Sequence, residues 1–166
     1  MRMSQISPQN ALHWYVVYTK TRAEKKTALL LNKMEITCYC PTRREVRQWS
    51  DRRKKVDVPV LPSMVLVRIP EQERVRVFEC PLTTRYLFMD GKPAVVKEEE
   101  VQALKESLEQ GVILEHEVTP LVPGERIDLS EFGFEAQEGT IKYVSSNHVW
   151  IVMESLGFVV KLRLAK

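Results

Sequence analysis

The sequence predicts an α+β domain, a mostly antiparallel sheet with flanking helices and a protruding basic hairpin, followed by a small all-β barrel. Three observations predict it. Strand-like and helix-like stretches alternate over the first two thirds of the 166 residues. The last 42 residues, Glu125–Lys166, hold strand-like pieces only. Between two strand-like arms, REVRQWSDRRKKV (44–56) places six Arg or Lys in thirteen positions around one tryptophan.

Taken in order, residues 1–12 carry no periodicity and read as a disordered tail. HWYVVYT (13–19) is aromatic and β-branched, so it reads as a strand with Trp14, Val16 and Tyr18 on one face. From about Arg22 to Met34, residues Ala23, Thr27, Leu30, Leu31 and Met34 form one helical stripe. Ile36–Trp49 and Val56–Ile69 read as two further strands, the second broken by Pro59 and Pro62. Ser50-Asp51 between them is the turn of a long hairpin. Pro70–Cys80 is a short helix candidate with Val75 and Phe78 inward, and Thr84–Met89 a strand running into the turn Asp90-Gly91. Glu98–Glu109 is a helix with Val101, Leu104 and Leu108 inward, three Glu at its start and Gly111 as its stop. Glu115–Gly124 has two prolines and no helical stripe, and reads as a linker. Arg126–Leu129, Gly139–Val144, Val149–Met153 and Phe158–Leu164 are short strands with turns at Ser145–His148 and Leu156-Gly157.

The net charge of +3 conceals an asymmetry: His13–Lys55 carries +8, Val56–Glu115 carries −4 and His116–Lys166 carries −2. Such a distribution suits a local surface for a polyanion on an otherwise acidic chain. A charged hairpin tip cannot pack on a core. It sits in water as an edge-protecting cluster, or against an anion.

No catalytic motif for phosphate, dinucleotide, zinc-protease or nucleophile-elbow chemistry is present. His13, His116 and His148 lie apart, with no Cys or carboxylate pair beside them. Cys38, Cys40 and Cys80 are odd in number and lack zinc-site spacing, so they read as ordinary core or surface residues. No enzyme activity, cofactor or metal is expected. The start has no apolar signal-peptide core and no apolar run is long enough to span a membrane, so a cytoplasmic, membrane-free protein is expected.

WYVVYTKTRAEKK (14–26), CYCPTRREVRQWSDRRKKVDVPVLPSMVLVRI (38–69), RYLFMDGKPAVV (85–96), PGERI (123–127) and EGTI (138–141) together resemble the NusG family, most of all its UpxY-type specialised paralogs, which act as antiterminators. The resemblance implies a NusG N-terminal domain over 13–114, a linker over 115–122 and an SH3-like KOW barrel over 123–166. It implies a transcription elongation or antitermination factor that reduces pausing or termination at a subset of operons. The implied main partner is RNA polymerase, gripped at the clamp helices of its largest subunit. Upstream or non-template DNA is the second partner, and a ribosomal protein or termination factor could be recruited by the KOW domain. A monomer is expected.

Carried over position by position, the polymerase-binding residues are Tyr18, Leu61, Met64, Leu66 and Tyr86, an apolar patch for a helical partner. Leu61 stands where the family commonly has Phe and Met64 where it has Tyr, so the patch is less aromatic. SEFGFEAQ (130–137) stands where the family commonly has a glycine-rich segment before EGT, which makes that loop more acidic and more aromatic. The family's DNA-facing edge matches Lys20, Arg22 and Lys25. The hairpin adds Arg47, Trp49, Arg52, Arg53, Lys54 and Lys55 as nucleic-acid candidates, with Trp49 stacking on a base or packing over an arginine stem. The competing reading is a free-standing RNA-binding module of the ribosome-associated KOW type. There, Trp49 and the arginines would matter more than Tyr18 and Met64.

Overall fold

The computed structural model describes residues 11–109, 113–120, 142–145 and 147–165. The tail 1–10, the strand expected at Arg126–Leu129, Gly111 and the first part of Gly139–Val144 lie outside the described residues. Packing divides the chain into two units, Met1–Cys40 with Leu61–Val96, and Pro41–Val60 with Lys97–Lys166.

The first unit is built on an antiparallel sheet. Its middle strand is β1 (Leu12–Thr19). The arms of the next expected strand separate at Cys40-Pro41 into β2 (Thr37–Tyr39) and β3 (Thr42–Gln48). The arm after the turn separates at its prolines into β4 (Arg53–Pro59) and β5 (Met64–Pro70). β6 (Thr83–Tyr86) follows, then the small hairpin β7 (Phe88–Met89) and β8 (Lys92–Pro93), then β9 (Val95–Val96). The sheet runs β2-β5-β1-β6, with β9 also on β1. TRYLFM is therefore two strands rather than one. At Asp90-Gly91 both residues have positive φ, 53° and 75°, which is the geometry of a tight hairpin turn and the reason Asp-Gly suits it.

One sheet face carries Tyr15, Val17, Val65, Val67, Ile69 and Tyr86 into a single core with Ala28 and Leu31 of helix α1 (Glu24–Lys33). α1 ends in a Schellman motif. The Glu35 N–H donates to Asn32 O (3.1 Å), the Ile36 N–H donates to Leu31 O (3.0 Å), and Glu35 sits at φ 62°. Ile36 and Leu31 then share the core. Asn32 extends the same corner: its amide pairs with both the N–H and the C=O of Cys38, so the side chain continues the edge of β2.

Glu71–Glu79 is a 3-10 helix, not an α-helix. Its inward residue is Val77; Val75 and Phe78, expected inside, are exposed. A repeat of three residues per turn puts Arg74, Val77 and Cys80 on one side, which explains the correction. Arg74 lies over the Tyr15 and Tyr86 rings, at 5.7 and 5.8 Å.

In the second unit, β3 and β4 form the basic hairpin. Helix α2 (Glu98–Glu109) buries Val101, Ala103 and Leu104, and packs against β12 (His148–Met153). The sheet runs β10-β13-β12-β11, all antiparallel, where β10 is Ile113–Pro120, β11 is Lys142–Val144 and β13 is Phe158–Leu164. The segment read as a linker is thus a strand through Pro120. Among the described residues it lies at the edge of the sheet, its single proline lies at its last residue, and Val118 faces Val160 on the next strand. Gly157, at φ 74°, closes the β12–β13 turn expected at Leu156-Gly157.

Candidate functional site

The hairpin's register places its charges. Gln48 pairs with Arg53, and Trp49 and Arg52 exchange backbone hydrogen bonds (2.9 and 3.3 Å) around Ser50-Asp51, the turn expected from the sequence. Opposite residues share a face. One face therefore carries Arg43 and Val58, Glu45 and Val56, Arg47 and Lys54, then Trp49 and Arg52. The other carries Arg44 and Asp57, Val46 and Lys55, then Gln48 and Arg53. Arg44 is matched by Asp57 at 3.8 Å, and Arg47 reaches Glu45 at 3.6 Å. Arg47, Arg52, Arg53, Lys54 and Lys55 are all exposed, as is Trp49. The turn borders a hollow of about 260 Å³ lined by Trp49, Ser50, Asp51, Arg52 and Lys54.

The hairpin root is anchored by a contact between residues 73 positions apart, with no local signature. Arg43 is buried, and its Nε–H donates to His116 Nδ1 (2.6 Å) on β10, while Nη1 donates to Ile113 O (3.4 Å). Arginine only donates, so Nδ1 must be unprotonated. Burial first, then the Arg43 charge, hold the His116 pKa below its ordinary value, with Glu45 opposing.

In the first unit, Tyr18, Met64 and Leu66 come together on the sheet face opposite the core. Tyr18 pairs with Met64 and with Arg85, and Val16 with Leu66. Tyr18 is half-buried under the Arg85 guanidinium, 4.6 Å from its ring; Met64, Leu66 and Leu61 are buried. Tyr86 goes to the other face. Its ring packs edge-on to Tyr15 and Phe78, and its hydroxyl donates to Arg74 O (2.7 Å). Of the five residues expected to form an exposed apolar patch, Tyr18 alone offers appreciable surface.

Lys20, Arg22 and Lys25 are exposed around the start of α1, with Arg22 in the turn at φ 59°. Cations at a helix N-terminus oppose its dipole, so they are placed there at a small cost to stability and create a positive corner. Nearby, buried Glu24 accepts the Ser63 N–H (2.9 Å), and the Thr19 N–H donates to Ser63 O, which fixes the loop before Met64.

The remaining polar groups look structural. Burial pushes the Cys40 thiol up to about 11 and raises Cys38 further, and all three cysteines pack against the core. Such thiols are poor nucleophiles. Among the described residues no group of three His, Cys, Asp or Glu could hold a metal, and no helix is long and apolar enough to cross a membrane.

A model of the family described as "Transcription termination factor nusG" matches residues 12–105. The chain belongs to the NusG family. The matched NusG segment holds both Tyr18 and the hairpin, and its α+β fold with mostly antiparallel sheet is that of the NusG N-terminal domain. The NusG family consists of transcription elongation and termination factors that bind RNA polymerase, and the role of this chain lies in that process. Among solved structures the chain is similar to "Domain interaction in Thermotoga maritima NusG", at 18% identity over 92% of this chain and 94% of that chain, TM-score 0.47. No curated protein matches it.

Proposed function

We propose that this NusG-family chain is an elongation and antitermination factor of the UpxY type. It engages the RNA polymerase clamp helices at half-buried Tyr18, which buried Met64 and Leu66 back on the same sheet face, and meets upstream or non-template DNA with Lys20, Arg22, Lys25 and the basic hairpin. Leu61 is buried and Tyr86 lies in the core on the other sheet face, so both act as support rather than surface. The C-terminal strands belong to a KOW barrel that recruits a ribosomal protein or termination factor. The observation that carries the reading is the convergence of Tyr18, Met64 and Leu66 on one sheet face inside the family-matched segment.

A polymerase-facing tyrosine with an arginine across its ring suits a helical partner: the ring offers apolar area, and the hydroxyl and guanidinium offer donors. The test is a single-round elongation assay with RNA polymerase from the source organism. Added protein should shorten pauses or raise terminator read-through. Unchanged pausing, with RNA retained by the protein alone, would contradict the proposal and favour the RNA-binding module.

A further inference from the structure

We propose that the hairpin tip is a stacking site for single-stranded DNA and that one of its two faces carries it. Trp49 takes the flat of a base, and Arg47, Arg52 and Lys54 hold the flanking phosphates. The inference rests on the transcription-factor reading only in choosing DNA over RNA.

The argument starts from Trp49. Of the three tryptophans, Trp14 and Trp150 are 4% exposed, whereas Trp49 is 56% exposed on a tip with no core beneath it. An indole left in water is available area. The paired backbone hydrogen bonds of Trp49 and Arg52 set Arg52 opposite it, and the register puts the Arg47–Lys54 pair one step behind on the same face. The acids near them are Glu45, shared between Arg43 and Arg47, and Asp51 in the turn. The net balance of that end stays positive. The hollow of about 260 Å³ beside Trp49 is open to an incoming ring.

The other face has comparable charge, Arg53 and Lys55, but no aromatic residue. That asymmetry separates two kinds of partner. A duplex hides its base faces and meets the tip through phosphates alone, so cations on either face serve it. A single strand also offers its bases for stacking, which only the Trp49 face can use.

The full chain supplies its own probe, because Trp49 is the tryptophan exposed to solvent. Tryptophan emission and anisotropy would be followed on titration with a short mixed-sequence single strand, its duplex, and the RNA of the same sequence. The single strand is expected to quench Trp49 emission and bind tighter than the duplex. Trp49→Ala should weaken single-strand binding roughly 5- to 100-fold and Trp49→Phe should restore most of it, with duplex binding unchanged. Arg53→Ala with Lys55→Ala should weaken duplex binding and leave single-strand binding close to the parent's; a single-strand loss as large as the duplex loss would overturn the assignment to one face. Equal single-strand affinity for Trp49→Ala and the parent, or equal losses for duplex and single strand, would overturn the stacking site. RNA bound more tightly than DNA would overturn the choice of DNA. An inactive elongation assay with single-strand binding intact would count against the proposed function and leave this site standing. Trp49 is exposed, so a melting curve suffices to show that each variant is folded.

Discussion

Tyr18 and Tyr86 sit on adjacent strands and face opposite ways, and this separates a surface residue from a core residue of the same type. Tyr86 is enclosed by Tyr15, Phe78 and Arg74, and burial raises its phenol pKa, so its hydroxyl acts as a fixed donor to Arg74 O. Tyr86→Phe leaves that carbonyl short of a donor and should lower stability by about 1 kcal/mol in urea denaturation. Tyr18→Ala, at a half-buried site, should change the urea midpoint less. If Tyr18→Ala were the more damaging of the two, the assignment of faces would be wrong. Sequence alternation told Tyr18 from its β1 neighbours correctly. It could not place Tyr86, because a register shift between Tyr18 and Thr19 decides which β1 residue Tyr86 meets.

At the scale of elements, helix α1 stops on a glutamate in a position that favours glycine. Glu35 is exposed at φ 62°, and its side chain adds nothing to the motif that Ile36 and Leu31 complete. Glu35→Gly should raise stability by about 0.5–1 kcal/mol, read as a higher melting temperature. The β3–β10 contact predicts a pH dependence. The folded pKa of His116 is depressed below its ordinary value of 6.5, so near that pH the unfolded chain binds more protons. The contribution is complete above pH 6.5 and is lost as pH falls from there through the lower folded value. His148, lowered by burial, Lys161 and Arg163, adds the same sign. Thermal melts from neutral to mildly acid pH should show a steeper loss for the parent than for His116→Asn, which keeps an acceptor near Arg43 without titrating. β1 to β5, β12, β13, both α-helices and the hairpin turn were legible because periodicity and turn chemistry are local. The 3-10 helix was not, since a repeat of three and one of 3.6 differ little over nine residues. Nor was β10, because two nearby prolines resemble a linker and its partner β13 lies some forty residues on. The Arg43–His116 contact spans 73 positions and has no local signature.

For the whole molecule, long-range ties join elements that local periodicity does not connect. Glu100, read as one of three helix-start charges, is buried. It accepts the Lys97 N–H (3.2 Å), completing half of a capping box, and bonds the Ser155 hydroxyl and N–H (2.5 and 3.3 Å) in the β12–β13 turn. Its isosteric Glu100→Gln change should destabilise α2 and the C-terminal sheet together, seen as loss of amide-exchange protection in both. Protection lost in α2 alone would mean the tie is not shared. If Lys20, Arg22 and Lys25 face DNA as proposed, neutralising them should weaken retention of polymerase at low salt and flatten its salt dependence. The measurement that tests the central claim most directly is retention of RNA polymerase by the immobilised chain at moderate salt, parent against Tyr18→Asp. Tyr18 is chosen because it is half-exposed, whereas an aspartate at buried Met64 would threaten the fold. The parent should hold polymerase and folded Tyr18→Asp should release it. Equal retention by both, or by neither, would contradict an interface centred on Tyr18.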